Sequence, residues 1–314
     1  MIVRRLLLAI PILLGTAIIV FAILRLVPGD PASAILGSYA TPHQLAAVRH
    51  GLGLDEPLHQ QFFTWFDSAL RGNLGHDYIT NQSITDELAV RLPATLELAG
   101  VAFLFAIVTA VPLGVIAAVR EGGVLDRIIR AGAIITIAVP DFVFGLLGIL
   151  AFALALARVP SSGYTPPSEG LGANLQSIAL PAIALGLGLG GVLVRVTRSA
   201  MLEVLGMDYV RFARASGFGT GAIVMRYALR NASIPIVTVL GLQLGYLLGG
   251  TVVVEQLFSI PGVGQLIVQA MLSRNYPVVQ GCVLVFVVAF ILASLITDLL
   301  YTVLNPRLRT AAAA

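Results

Sequence analysis

The sequence contains no lysine and little charge of either sign. All 19 basic residues are arginines, and only 11% of the 314 residues are charged. A soluble domain carries about 25% charged residues, so this composition argues against an ordinary soluble enzyme. Without lysine, the chain supplies neither a Schiff-base nucleophile nor the lysine of a phosphate-binding P-loop. It therefore does not hydrolyse a nucleotide through a Walker-type site.

Cysteine and histidine are also scarce. The single cysteine, Cys282, excludes a disulfide within the chain. The four histidines, at positions 43, 50, 59 and 76, follow no compact metal-ligand spacing and lie outside the apolar runs. Neither a His-Glu-x-x-His nor a Gly-x-Ser-x-Gly motif occurs. We therefore expect no catalytic residue and no metal site, and predict that the chain is not an enzyme.

Hydrophobic residues make up 58% of the chain and are concentrated in six runs. Each run is long enough to cross about 30 Å of hydrocarbon as a helix. They cover Leu6 to Val27, Thr95 to Val119, Ala131 to Ala157, Ile178 to Val194, Ile236 to Val254, and Gly281 to Val303. The sequence thus predicts an all-α integral membrane protein with six transmembrane helices.

The arginines predict the orientation of these helices. Thirteen of them flank one set of span ends and six flank the other. Because arginine-rich short loops stay in the cytoplasm, both termini are predicted to be cytoplasmic. The predicted division is a first transmembrane helix (1–27), an extracytoplasmic region (28–94), a five-helix core (95–306) with a cytoplasmic loop at 195–235, and a cytoplasmic tail (307–314).

The extracytoplasmic region carries signals for two helices. Thr41 followed by Pro42 is typical of a helix start, and we expect that helix to end near Gly51. Glu56 and Pro57 open a second helix, which is rich in aromatic residues. We interpret these aromatics as packing and interfacial anchors. The region should therefore fold as a small helical cap.

A short amphipathic helix is predicted within the cytoplasmic loop. Asp208 is its expected N-cap, and Gly217 its left-handed C-terminal residue. One face is predicted to carry Tyr209, Phe212, Ala213 and Ser216, and the opposite face Arg211 and Arg214. Two interpretations remain open: contact with anionic lipid at the inner leaflet, or insertion into a groove of a cytoplasmic partner.

Small residues recur inside two of the apolar runs. Gly241, Gly245 and Gly249 repeat every four residues, which predicts a tight helix–helix or subunit interface. The glycines at 186, 188 and 191 fit a dinucleotide-binding spacing, but no strand precedes them. We interpret them as close helix packing as well.

Polar residues at membrane depth are candidates for contact with a transported solute, because buried acids are expensive in lipid. The candidate pathway residues are Pro140, Asp141, Gln243 and Glu255. Pro140 should kink its span beside Asp141. Glu255 lies at the end of the fifth run and has a second interpretation, in which it simply faces water.

Ordered motifs along nearly the whole chain resemble one family. They are LRLVPGDPA at 24–32, GLGLD at 51–55, RGNLG at 71–75, LPATLEL at 92–98, DYVRFARASG at 208–217, ALRNA at 228–232, IPGVG at 260–264 and NYPVVQG at 275–281. Together they resemble the permease subunits of peptide/nickel ABC importers, of the dipeptide and oligopeptide type. Asn73, His76, Asp77 and Asp141 depart from the usual residues of that family.

The resemblance implies a type I ABC importer permease fold in the bacterial inner membrane. For the amphipathic helix of the cytoplasmic loop, it favours insertion into a partner's groove over contact with lipid. It implies that a coupling helix docks on a separate ATPase. That helix would comprise Asp208, Tyr209, Val210, Arg211, Phe212, Ala213, Arg214, Ala215, Ser216 and Gly217. The implied partners are a homologous second permease, two ATP-binding subunits or domains that hold ATP and magnesium, and an extracytoplasmic substrate-binding protein. This chain itself would bind no cofactor.

The implied function is half of a transmembrane pathway for di- or oligopeptides. Nickel chelates, glutathione and short saccharides are other cargoes of similar permeases. The alternative function is a stand-alone secondary transporter or channel for small polar solutes. That alternative predicts ion-coupling carboxylates at the midplane and internal inverted repeats. Asp141 is the plausible midplane acid, and no convincing repeat is visible.

Overall fold

A computed structural model of the chain describes residues 2–26, 29–37, 40–155 and 163–304. The predicted tail 307–314 and two predicted span ends, Val27 and Ala157, lie outside these residues. Within them the secondary structure is helical, apart from one isolated bridge between His76 and Ser83. This confirms the all-α prediction.

Thirteen α-helices run through the described residues. They are α1 (Ile2–Leu26), α2 (Pro31–Leu36), α3 (Pro42–Gly51), α4 (Leu58–Leu70), α5 (Ile84–Val119), α6 (Val124–Ala138), α7 (Asp141–Ala155), α8 (Leu171–Leu205), α9 (Asp208–Ala215), α10 (Thr220–Ala222), α11 (Leu229–Phe258), α12 (Val263–Leu272) and α13 (Tyr276–Leu304). A short 3-10 turn at Pro167–Glu169 precedes α8, and a π-helical turn at Ile223–Ala228 joins α10 to α11.

Among the described residues, five helices are long and apolar enough to cross a membrane, and the count is six if the bent pair α6 and α7 forms one span. The kink predicted at Pro140 is a sharp break, because α6 and α7 meet at 104°. Pro140 stands between them and has no amide hydrogen with which to continue α6. The chain therefore changes direction at the residue that precedes Asp141.

Several helices continue beyond their apolar runs. Helix α5 has 36 residues and α8 has 35, so each is about 50 Å long and exceeds the hydrocarbon thickness. Apolar patterning marks where a helix leaves the hydrocarbon, whereas the helix itself ends where its backbone hydrogen bonds end. The sequence therefore predicted these helices to be shorter than they are. It also did not predict the separate helix α12.

Packing divides the chain into two compact units, Met1–Thr95 with Pro261–Ile291 and Leu96–Ile260 with Leu292–Ala314. The predicted division into a first span, an extracytoplasmic region, a core and a tail stays a prediction, since packing alone does not locate a membrane. In the first unit, α3 begins with a capping box in which Thr41 and Gln44 satisfy each other's backbone amides. This confirms the predicted start of α3.

Aromatic side chains join α4 to α1 in the first unit. The Phe21 ring lies 5.3 Å from the Phe62 ring and 6.2 Å from the Trp65 ring, between centroids. These distances are typical of stabilising aromatic pairs. The predicted packing role of the α4 aromatics is therefore confirmed for Phe62 and Trp65.

A hydrogen-bonded clasp reinforces this contact. The Arg25 guanidinium lies 4.2 Å from the Phe21 ring centroid and donates to Gln61 Oε1 at 2.8 and 3.2 Å. Gln61 Nε2 in turn donates to the carbonyls of Leu54 and Glu56, at 3.2 and 2.8 Å. Nearby, burial raises the pKa of the Tyr78 phenol, which keeps it neutral.

Gln61→Leu should loosen the contact between α4 and α1. The substitution leaves the Arg25 donors and two backbone carbonyls without their partner, which costs about 2 to 3 kcal/mol. We expect faster amide hydrogen exchange in residues 58–70, measured by mass spectrometry. Gln60→Leu is the matched control, because Gln60 is exposed and lies one position away. Equal exchange in the two variants would contradict the clasp.

The second unit is built around α8. Helices α6, α7 and α11 pack against it. A Cβ placed on Gly186 would lie 2.8 Å from the Ala102 carbonyl of α5, and one on Gly191 would lie 2.8 Å from the Ala133 carbonyl of α6. These glycines let neighbouring backbones approach closely, which confirms the packing interpretation of the 186–191 motif.

A polar network ties the start of α8 to α5 in the same unit. Glu97 accepts hydrogen bonds from the Tyr164 hydroxyl at 2.5 Å and from Asn174 Nδ2 at 2.7 Å. Asn174 also donates to the Thr165 carbonyl. Burial and the hydrogen bond to Glu97 raise the pKa of Tyr164, so it remains a neutral donor.

Candidate functional site

Helix α9 lies in the segment of residues 206–228 that connects α8 to α11. The N-cap position is occupied by Met207, and no side chain caps the helix. The prediction that Asp208 is the N-cap was therefore wrong: it is the first helical residue, and its carboxylate is exposed beside Arg211 at 3.7 Å. Gly217 has a φ of +84°, which confirms the predicted left-handed C-terminus.

The two faces of α9 differ from the predicted pattern. Val210 and Ala213 are buried in a core shared with Ile223 of the π-helical turn. Ala213 was therefore assigned to the wrong face, and Val210, at spacing i, i+3 from it, is its real partner. Phe212 points away from this core and is 75% exposed. The core anchors α9 and leaves its largest apolar side chain uncovered.

The neighbouring residues add to this exposed surface. Tyr209 is partly exposed, and its hydroxyl accepts a hydrogen bond from Asn231 Nδ2 of α11 at 2.8 Å. Phe218 packs edge-on against Tyr227, with 5.8 Å between ring centroids. The exposed apolar and basic side chains of the segment are Met207, Arg211, Phe212, Arg214, Phe218, Met225 and Arg226. The segment is thus an anchored, basic surface with apolar side chains available for contact.

A buried ion pair, which the sequence analysis missed, holds α8 where it leads into this segment. Arg198 Nε and Nη2 donate to the two carboxylate oxygens of Asp126, at 2.7 and 2.8 Å. The Gly122 amide also donates to Asp126, at 3.0 Å. The pair joins the first turn of α6 to α8. The sequence carried one signal for this ion pair: Asp126 stands shortly before the third apolar run and has arginines nearby.

Some of the predicted pathway residues come together. Pro140 and Asp141 line a cavity of about 350 Å³ with Tyr246 of α11, whose hydroxyl donates to Asp141 Oδ2 at 3.1 Å. Gly249, predicted as a packing glycine, lines the same cavity. Tyr246 was missed because an isolated tyrosine in an apolar run carries no pattern of its own.

The other predicted pathway residues are placed elsewhere. Gln243 and Glu255 do not line this cavity. Glu255 is fully buried, so the interpretation that it faces water was wrong. A pathway role for these two residues stays a prediction.

Of the three glycines predicted to pack against another helix, one is found in such a contact. A Cβ on Gly241 would collide with Thr297 of α13, so α11 and α13 approach closely there. A Cβ on Gly249 would meet no atom within 4 Å. Packing against another helix stays a prediction for Gly245 and Gly249.

Comparison with known proteins identifies the family. Residues 1–99 match the N-terminal component, and residues 110–310 the main component, of the family described as binding-protein-dependent transport system inner membrane component. A probable peptide ABC transporter permease of Sinorhizobium fredii is 38% identical over 98% of both chains. A glutathione transport system permease of Salmonella choleraesuis is 39% identical over 98% of both chains.

The fold is also that of a chain in a solved ABC transporter. A chain of the MetNI methionine ABC transporter superposes with a TM-score of 0.58 at 20% identity, over 69% of this chain and 96% of that one. This likeness confirms the type I permease fold. Together with the family matches, it shows that the chain belongs to the binding-protein-dependent transport system inner membrane component family, as a multi-pass ABC transport permease.

Proposed function

We propose that this chain forms half of the transmembrane pathway of an ATP-driven importer for di- or oligopeptides. A homologous permease would form the other half, and an extracytoplasmic binding protein would deliver the cargo. Two separate ATP-binding subunits or domains would hold ATP and magnesium. The single observation that carries the proposal is the anchored α9 with Phe212 exposed, in a chain 38% identical to a peptide permease.

Helix α9 is proposed to couple the two parts of such a complex. Its Val210 and Ala213 face is fixed to the permease core, so a protein groove that holds Phe212 grips the permease itself. Aromatic anchors in pockets typically dominate the energy of such interfaces. A movement of the ATPase would then pass through α9 to α8, and from α8 to α6 through Arg198 and Asp126.

This coupling requires that nucleotide and the loaded binding protein bind the inward- and outward-facing permease with different affinities. Nucleotide and loaded binding protein shift the permease between inward- and outward-facing arrangements only as far as they bind the two arrangements unequally. No step of this cycle asks the chain to make or break a covalent bond. The proposed role is therefore non-catalytic.

The arginine distribution supports the orientation in this proposal. The thirteen arginines on one set of flanks include those of the 206–228 segment. Under the positive-inside rule, α9 and both termini would lie on the cytoplasmic side of a bacterial inner membrane. The cap (28–94) and the region around α12 would then meet the binding protein outside.

The buried Asp141 favours a second candidate, a stand-alone secondary transporter, because intramembrane acids serve ion coupling in such proteins. Affinity purification from mild detergent, with mass spectrometry, separates the two. We expect a homologous permease and ATP-binding subunits to co-purify, and reconstituted uptake of peptide to require ATP. A chain that purifies alone and transports without ATP would overturn the importer function.

A further inference from the structure

The cavity beside the break between α6 and α7 contains a buried acid, which has one polar side-chain partner among the described residues. Asp141 is 8% exposed, and the Tyr246 hydroxyl is the group that donates to its carboxylate. Among the residues the structure describes, no arginine or histidine forms an ion pair with Asp141. A carboxylate has about four lone-pair positions, so acceptor positions remain for a ligand.

Gly188 makes room for the carboxylate itself, whereas Gly249 and Gly250 leave space beside it. A Cβ on Gly188 of α8 would collide with Asp141 Oδ1, and one on Gly250 would lie 3.7 Å from Oδ2. A Cβ on Gly249, which lines the cavity, would meet no atom within 4 Å. The cavity of about 350 Å³ has the size of a small-molecule site. A ligand larger than a single ion would fit in it.

We propose that Asp141 and Tyr246 form a subsite for the protonated amino group of a transported peptide. The inference rests on the proposed function for the class of cargo. A primary ammonium has three donors, which pair with the Asp141 carboxylate and the Tyr246 hydroxyl oxygen. The remaining walls, Phe142, Val253 and Val254, contact the apolar part of the peptide.

The side chains that line the cavity disfavour other cations. Asp141 is the single carboxylate that lines the cavity, and calcium takes six to eight oxygen ligands. In the described part of the chain no group of three His, Cys, Asp or Glu side chains is placed to hold a metal. A guanidinium prefers both oxygens of a carboxylate, and Tyr246 already bonds to one of them. A compact ammonium on an apolar body fits best.

Photo-crosslinking tests the subsite in the complete complex. The probe is the tripeptide alanyl-photoleucyl-alanine, supplied with the binding protein to proteoliposomes that contain both permeases and the ATPases. We expect uptake of the probe and label on Phe142, Val253 or Val254. Asp141→Asn should lower that label about tenfold, since it removes a charge-assisted hydrogen bond, while Asp141→Glu retains most of it. Glu121→Gln, an exposed acid outside the cavity, is the control.

The outcomes separate this inference from the function on which it rests. Transport of the probe with no label in the cavity, or equal label in the unchanged and Asp141→Asn complexes, would overturn the subsite alone. An assembled complex that never transports the probe would overturn the proposed cargo, and the subsite with it. If Asp141→Asn does not assemble, Tyr246→Phe replaces it: a fall of about threefold supports the subsite, and unchanged label overturns it.

Discussion

A complex that carries Phe212→Asp should lose roughly tenfold or more of its ATP-driven uptake. The substitution removes an aromatic anchor and places a charge where an apolar groove would close around it, which is costly without a partner charge. The permease itself should fold normally, because Phe212 is 75% exposed and Val210 and Ala213 still fix α9. The measurement is uptake in proteoliposomes, together with the amount of ATP-binding subunit that co-purifies.

The same substitution at another exposed phenylalanine controls for the added charge. Phe63→Asp in α4 replaces a side chain of similar exposure outside the 206–228 segment. We expect it to leave the co-purification of the ATP-binding subunits unchanged. If Phe212→Asp retained normal uptake and normal co-purification, α9 would not be the coupling helix. If co-purification stayed normal and uptake fell only in vesicles that contain anionic lipid, the lipid-surface interpretation would replace the partner groove.

Apolar run length and capping chemistry made much of the fold predictable. A count of up to six spans followed from run length, and the start of α3 followed from Thr41 with Pro42. The bend at Pro140 was visible as a kink but not as a 104° break, because proline removes a hydrogen bond without specifying the direction of the chain that follows. That direction is set by packing of α7 against α8, which is a long-range property.

The sequence predicted which residues form α9 better than it predicted which side of the helix is buried. The sequence located α9 and its glycine terminus, but periodicity alone assigned Ala213 to the exposed face. An eight-residue helix has too few positions to fix its buried side, and the partner that buries Val210 and Ala213 lies in the π-helical turn, which the pattern does not reveal. The Asp126–Arg198 pair was missed for a similar reason, since it joins residues 72 positions apart.

Adjacent glycines of α8 should respond in opposite ways to the same small substitution. At Gly191 an added methyl group meets the Ala133 carbonyl at 2.8 Å and collides with Thr136 Oγ1. Backbone cannot rotate away as a side chain can, so Gly191→Ala should cost about 1 to 3 kcal/mol. At Gly190 the same methyl group reaches Ala110 Cβ at 3.9 Å, an ordinary contact. Gly190→Ala should be neutral, or stabilise the helix by up to about 1 kcal/mol.

Titration of the two purified variants with a denaturing detergent measures this difference in the free energy of unfolding, expected to be about 3 kcal/mol. Thr136→Ala in the Gly191→Ala background should restore part of the loss, because it removes one of three close contacts and leaves the Ala133 carbonyl and Ile137 Cγ1 in place. Full restoration would mean that the side chain alone sets the spacing of α6 and α8. Equal stability of the two single variants would mean that the helices do not pack at Gly191, and the route from α9 through α8 to α6 would lose its rigid contact.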